Sequence, residues 1–431
     1  MKTLTVTLKQ HTPLIHFQHT QYGATLRASE VKPKLDRFLL SKLENEKKDN
    51  WLLKNSGVSQ ALDYKIKIQP CEKACEYLVA SYLKKDYIEY LKRERVPFIA
   101  TSPYFAQEKQ NEKIIKEHQS LDSIVCTGMM FNNKENTSSQ NHDFRRCNNV
   151  IVTITSFNND LIDKIAEQIQ TFFLIENFGS RQNKGFGCFE VKLIELKGSD
   201  KKYIKLKSCE EILISNFKFC YKKVILKSRL QTVFKTIVND YKLLKSGMRC
   251  QNYDGEPIYK RSKLMLYGTT KKMRWEKKYL KEQINKKYWK DENSYYELES
   301  HHEEEEYTPI NDEESYVYLR ALLGVANQYE FLLKNPPMPN KKMVVSIKSV
   351  DGVERFKSPI IFKVIDENIY IMGNDVPEDI LDKKFYFEVT VQEDDRYKNI
   401  KIDEPLSTPK SFNLISFMDK YATKLGYEKI K

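Results

Sequence analysis

The sequence predicts an α+β fold made of two ferredoxin-like modules, on three observations. A strand pattern opens the chain. A long amphipathic helix running into a glycine-rich loop lies in its middle. The first half as a whole orders its elements strand, helix, strand, strand, helix, strand, which is the order of a split β-α-β unit.

Thr3, Thr5 and Thr7 alternate with Leu4, Val6 and Leu8, the period of a strand with one buried face. His11-Thr-Pro13 ends it, because proline lacks a ladder donor and turns Thr12 away from helix. Residues 23–40 read as a loop leading into a short helix, with Pro33 as the first residue of that helix, and a helical pattern follows around Glu72 to Arg93. Two strands, Ser123 to Phe131 and Asn149 to Phe157, flank a polar stretch that reads as a long hairpin loop. From Leu161 to Phe178 the apolar residues keep helical spacing, with Asn159 or Asp160 as cap and Gly179 as stop. The loop 179–187 then leads into the alternating strand Cys188 to Leu196.

The second half supplies a strand at 217–226 and a helix from Ser228 to Lys245, then a second helix from Tyr316 to Leu333 that Pro336 and Pro337 stop. Strands follow at Met343 to Val350, Arg355 to Ile365, Ile369 to Met372 and Phe385 to Val391, and Asn413 to Leu425 is a closing helix. This gives an N-terminal module over 1–206 and a C-terminal module over 207–431 with a charged insertion at about 260–315. No residue-level repeat links the halves, so the duplication rests on element order.

The 431 residues carry 72 Lys+Arg against 59 Asp+Glu, a net charge of +13 that points to polyanionic partners. With 40% hydrophobic and 12% aromatic residues, global disorder is excluded. No run approaches the ~20 apolar residues of a membrane span, and the start lacks the apolar core of a secretory signal, so a cytoplasmic protein is expected. The eight cysteines form no C-x-x-C pair and read as reduced, packed thiols, with Cys71 and Cys75 one helical turn apart. The charge is uneven. Lys260 to Lys290 holds twelve Lys/Arg against two Glu, whereas Asp291 to Ser315 holds eleven acids and no Lys or Arg.

Gly179, Gly185 and Gly187 share a nine-residue loop with Arg181 and Lys184. Glycines permit positive φ and close approach of a nucleic-acid backbone, and the cations can pair with phosphates. The loop is no P-loop, because its cation precedes the second glycine. Lys184 to Val191 matches half of an RNA-recognition strand and departs from it at Cys188 and Val191, while the first strand offers no aromatic platform. A second cationic cluster is Arg27, Lys32, Lys34 and Arg37, with Asp36 as a local ion-pair partner. His11, His16 and His19 fit no zinc spacing, although an imidazole there could assist RNA cleavage. Neither a nucleophile elbow, nor His-Glu-x-x-His, nor a dinucleotide fingerprint is present, so no metal or cofactor is expected.

These segments resemble a known family. The first strand with His11-Thr-Pro-Leu-Ile-His-Phe17, then Leu26 to Leu40, then Phe178 to Phe189, resemble the RAMP superfamily of CRISPR effector proteins, whose signature is such a glycine-rich loop. Tyr318-Leu-Arg-Ala-Leu-Leu-Gly324 and Glu354-Arg-Phe-Lys-Ser-Pro-Ile-Ile-Phe362 narrow the resemblance to subunit one of the type III-B Cmr complex. The chain departs from that pattern at Pro33 and Asp36, where Arg-Gly and tryptophans are usual. The resemblance implies two ferredoxin-like modules, a place near the 3′ end of the guide RNA, contact with guide and target RNA, neighbouring RAMP subunits and no cutting by this subunit. It puts Arg27, Lys32, Lys34, Arg37, Gly179, Arg181, Lys184, Gly185 and Gly187 against RNA, with Arg355 and Lys357 on the RNA or a partner. The alternative is a metal-independent endoribonuclease that processes guide precursors, with His16 or His19 as acid/base.

Overall fold

The computed structural model describes residues 2–15, 26–42, 49–53, 61–70, 74–82, 89, 91–94, 98–100, 123–131, 149–198, 201–226, 229–251, 255, 257–284, 315–325, 328–332, 342–353, 355–391 and 400–431. It is an α+β structure with several antiparallel sheets. Chain contacts divide it into two compact units. One holds Met1–Val238, Ile361–Met372 and Glu428–Lys431, and the other holds Asn239–Ile360 and Gly373–Tyr427.

The first unit contains two sheets of the same strand order. In chain order the first is built from β1 (Lys2–Gln10), α1 (Ala28–Lys42), β2 (Lys65–Pro70), β3 (Asn149–Ser156), α2 (Asn159–Ile175), β4 (Phe189–Lys197) and β5 (Lys201–Tyr203). Its strands lie β2-β3-β1-β4-β5, all antiparallel. That is the split β-α-β arrangement, with β5 added at one edge. Leu4, Val6 and Leu8 point to one face with Val150, Val152 and Ile154, and there they share a core with Val31, Leu35 and Leu39 of α1 and Ile165, Ile169, Phe172 and Phe173 of α2. Each such side chain contributes about 1.5–3 kcal/mol on burial, so the alternation of β1 sets which face the helices cover.

The second sheet is built from β6 (Phe219–Val224), β7 (Ile360–Ile365), β8 (Asn368–Gly373) and β9 (Glu428–Lys429), in the order β7-β8-β6-β9. In sequence, α3 (Leu230–Lys245) falls between β6 and β7, and α4 (Leu414–Tyr421) between β8 and β9. A buried lysine ties this sheet to α2. Lys363 of β7 is fully buried, and its ammonium donates to the carbonyls of Phe173 at 2.8 Å and Glu176 at 2.9 Å. These are orphan carbonyls of a helix C-terminus, where the macrodipole also favours a cation. Burial nevertheless outweighs them and pulls the Lys363 amine down to about 8.

The second unit holds a five-stranded sheet of segments 328–332, 342–349, 384–391, 400–401 and 406–407, a hairpin of Met248–Gln251 with Pro257–Lys260, and a parallel pair of Met273–Trp275 with Ser315–Val317. A buried Glu276 carboxylate pairs with Arg320 and accepts the Leu319 amide at 3.1 Å.

Several sequence expectations need correction. Around Glu72 to Arg93 the structure has a strand, Ala74–Tyr82, which pairs with Ser123–Phe131 and Phe98–Ala100 in a separate sheet with Leu14–Ile15. Long-range ladder pairing overrides the local helical spacing there, and Cys75 lies on that strand, while Cys71 lies outside the described residues. Segments 123–131 and 149–156 therefore belong to different sheets and form no hairpin. From Tyr316 to Leu333 there is no long helix. A strand, a 3-10 turn at Leu319–Leu323 and a further strand Gln328–Leu332 replace it, and Gly324, at φ +107, caps the turn where a helix would have to continue. Strands 342–349 and 384–391 pair with each other and not with β7 and β8. Helix α2 is capped by Asn158, whose side chain accepts the Leu161 amide, and ends before Gly179. Pro33 lies inside α1, which starts at Ala28, and its missing N–H falls on an exposed side of the helix. The polar stretch 132–148 and the acidic block 291–314 lie outside the described residues.

Replacing Lys363 by alanine leaves two buried carbonyls without their donor and opens a void, so it should destabilise the chain by roughly 2–4 kcal/mol. Chemical denaturation of the two proteins measures this directly.

Candidate nucleic-acid interface

The glycine-rich loop starts where α2 ends and returns the chain into β4. Its two ends meet in an antiparallel bridge between Asn177 and Cys188, reinforced by the Phe178 amide donating to the Gly187 carbonyl at 3.0 Å. Gly179, Gly185 and Gly187 all have positive φ and are all buried. A Cβ on Gly187 would collide with the Phe178 carbonyl, one on Gly179 with the Ile15 carbonyl, and one on Gly185 would lie 2.8 Å from Ile237 Cδ1. The close approaches that require glycine are thus approaches of protein to protein. The Pro13 and Ile15 carbonyls accept the Gly187 and Ser180 amides at 2.9 and 2.7 Å, which fastens the loop to the segment after β1.

The loop is also the seat of β7. The Asn183 carbonyl accepts the Phe362 amide at 3.0 Å, the Asn177 side-chain amide donates to the Phe362 carbonyl at 3.0 Å, and Lys184 bridges to Phe362 in parallel. Cys188 Sγ accepts the Val364 amide at 3.3 Å, and Phe186 stacks on Phe234 with centroids 4.2 Å apart. Arg181 takes a left-handed φ of +58 at the turn, and its carbonyl accepts the Lys184 amide at 2.9 Å. Both side chains are half-buried.

Helix α1 delivers the second cationic cluster to the same place. The Gly179 amide donates to the Glu30 carboxylate, and the Lys34 ammonium one turn later donates to the Asn177 carbonyl at 2.7 Å and Gln182 Oε1 at 2.8 Å, above the Phe178 ring. Burial raises the Glu30 carboxyl above its usual range, and the Gly179 amide and Lys34 oppose that rise. Lys32 instead pairs with Asp36 at 2.9 Å, donates to the Leu62 carbonyl at 2.8 Å and lies over Tyr64. Arg37 is exposed and Arg27 half-buried. The structure therefore joins the cluster at 27–37 to the loop at 179–187, with Lys32 and Lys34 committed to internal partners. Arg355 and Lys357, both exposed, flank Phe356 in the other compact unit.

His11 is buried and structural in its contacts. Its Nδ1 accepts the Asp366 amide at 3.0 Å, so Nε2 carries the proton that it shares with Glu190 at 3.0 Å. Burial holds the imidazole below its usual range. Burial alone would raise the Glu190 carboxyl, but the His11 bond and Lys192 bring it down to about 2. His16 and His19 lie outside the described residues. Among the described residues no cluster of His, Cys, Asp and Glu has the arrangement of a metal site. Free thiols are present at Cys188 and Cys220, which are buried, and at Cys209 and Cys250. Sequence reasoning missed Lys363, Asn177, Glu30 and the His11–Glu190 pair. Of these only Lys363 left a signal, as the lone cation in the apolar run 360–365.

Two matching strand orders, joined through a glycine-rich loop that clamps β7, define an α+β protein of the RAMP class. The chain belongs to the Cmr1 family: the Cmr1 N-terminal domain matches residues 1–248 and the Cmr1 C-terminal domain matches residues 259–430. Among solved structures it is similar to a chain of the type III-B Cmr-beta complex bound to cognate target RNA, seen by cryo-EM, at 12% identity and TM-score 0.29, over 46% of this chain and 61% of that one. It thus spans about 61% of the length of that Cmr-beta chain. It is also similar to the apo crystal structure of Cmr1 from Pyrococcus furiosus, at 10% identity and TM-score 0.36, over 100% of this chain and 98% of that one. No curated protein matches. No helix among the described residues is long and apolar enough to cross a membrane.

Two outcomes follow from this geometry. Alanine at Gly187 pays for a left-handed φ and a backbone collision, whereas alanine at Gly255, with φ +82 and open space, pays only the ~1–2 kcal/mol of conformation. Gly187→Ala should therefore lower the melting temperature well beyond Gly255→Ala, or prevent folding. For pH, the unfolded chain protonates His11 below its ordinary 6.5 and Glu190 below 4.5, while the folded chain resists both. Both groups thus give stability that is full above pH 6.5 and is lost as pH falls toward 2. Replacing His11 by glutamine should flatten the loss between neutral pH and about pH 5 in a series of thermal melts.

Proposed function

We propose that this chain is a non-catalytic RNA-binding subunit of a type III-B Cmr CRISPR effector complex, acting in antiviral defence in the cytoplasm. In this reading it is built of two ferredoxin-like RAMP modules, 1–206 and 207–431, and sits near the 3′ end of the guide RNA beside other RAMP subunits. Guide RNA and single-stranded target RNA are its ligands, and no membrane or cofactor takes part. The observation that carries the reading is the match of Cmr1 domains along residues 1–248 and 259–430.

In this reading the site residues divide by role. The buried glycines shape the loop, and Lys32 and Lys34 hold α1 against neighbouring backbone. The phosphates are met by Arg37, Arg355 and Lys357, which are exposed, and by Arg27, Arg181 and Lys184, which are half-buried. Gly179, Gly185 and Gly187 act on RNA through the loop shape they permit.

Charge reversal at Arg181 and Lys184 should weaken binding of single-stranded RNA and flatten the salt dependence of log K by about 1.4, two phosphate contacts on a single strand. The assay uses the purified chain with end-labelled guide-like RNA in EDTA, on native and denaturing gels. Salt-sensitive shifts with intact RNA support the subunit. Discrete cleavage lost on replacing His16 or His19 would make the chain a processing endoribonuclease instead.

A further inference from the structure

The first sheet has a second face, opposite the helices, and its composition is set by register. Odd-numbered residues of β1 point away from the core. Across the sheet they form three rows: Lys65, Thr155, Thr3, Lys197 and Lys201; Lys67, Thr153, Thr5, Glu195 and Tyr203; Gln69, Ile151, Thr7 and Leu193. Lys65, Lys67, Lys197 and Lys201 are exposed, Tyr203 is 56% exposed, and the threonines between them are half-exposed. A bulge between Thr7 and Leu8 ends the pattern, and beyond it Lys9 pairs with the Asp366 carboxylate. One end of the face is therefore occupied by the β7–β8 turn.

We propose that the three rows form a second binding surface for single-stranded RNA, separate from the glycine-rich loop. The proposal rests on the RNA-binding reading above. Four lysines face one carboxylate, Glu195, which Lys201 already neutralises at 3.3 Å. The lysine columns of β2 and β4 are three strand spacings apart, about 14 Å, and Lys65 and Lys67 are about 7 Å apart along their strand. Between the columns lies a floor of threonine hydroxyls, which both donate and accept and so suit phosphate oxygens and ribose hydroxyls. Only Tyr203, at one edge, offers a stacking ring. The surface therefore grips the sugar–phosphate chain with little preference for base. Charge complementarity selects a polyanion, and the hydroxyl floor selects one with polar groups along its whole length.

The full chain is titrated with a labelled uridine 20-mer at several salt concentrations. Lys65→Glu with Lys67→Glu should lower affinity tenfold or more and flatten the salt slope by about 1.4. Thr5→Val with Thr153→Val keeps charge and shape. It should lower affinity a few-fold at unchanged slope, with both variants melting as the wild type does. Unchanged binding in the lysine variant, with loss in the Arg181/Lys184 variant, overturns this surface and leaves the proposed function standing. Weakening in the lysine variant alone supports the surface and removes the loop. A wild-type chain without salt-sensitive binding overturns both. Unaltered RNA binding with weakened retention on immobilised polyglutamate would assign the face to an acidic protein and equally overturn the proposal.

Discussion

A lysine ammonium buried at the end of a helix is the constraint around which the first compact unit is arranged. Lys363 reaches from β7 to the last carbonyls of α2. Burying an ammonium costs much unless it is hydrogen-bonded, and here two helix carbonyls accept from it at the favourable end of the helix dipole. The consequence is positional: β7 has one register in which Lys363 meets the Phe173 and Glu176 carbonyls, and that register puts Phe362 against Asn177 and Asn183 and Val364 against Cys188. The second unit repeats the device. Lys245, at the end of α3, donates to the Gly324 carbonyl at 2.6 Å and is pulled by burial down to about 7.

The glycine-rich loop acquires a different meaning beside that lysine. A loop that only approached RNA would need its glycines at the surface, yet Gly179, Gly185 and Gly187 are buried against the Ile15 carbonyl, Ile237 and the Phe178 carbonyl. The same residues that look like a phosphate cradle in sequence form the bearing on which β7 rests. The buried glycines fix the course of the loop, and with it the places of Arg181 and Lys184 on its turn.

The order of elements was legible in the sequence, but their identity was only partly so. The alternation of β1, the amphipathic α2 and the strand β4 were readable because each buries one face against a single core. The helix and strand that complete the first split β-α-β unit are α1 and β2, not the segments at 72–93 and 123–131. Lys65-Ile-Lys-Ile-Gln69 carries a clear period of two, but it is short, and its neighbour at 74–82 mimics a helix because its ladder partners lie dozens of residues away. The 3-10 turn at 319–323 misled for another reason: Leu319, Leu322 and Leu323 are all buried around one turn, a pattern that helical spacing reproduces until Gly324 breaks it. In the site, the cationic residues were readable as types, whereas their partners were not, since Lys34 meets Asn177 and Gln182 from more than a hundred residues away.

Those partners change what the net charge of +13 signifies. Lys32, Lys34, Lys245 and Lys363 spend their charge on backbone carbonyls and carboxylates within the fold. Burial loosens the proton on two of them, bringing Lys245 down to about 7 and Lys363 to about 8, so these two add less positive charge than the composition implies. On the first sheet, period-two geometry turns Lys65, Lys67, Lys197 and Lys201 away from the core. A basic composition therefore locates no binding surface by itself. Register adds what composition lacks: which lysines of an alternating strand reach the solvent together and which hydroxyls lie between them.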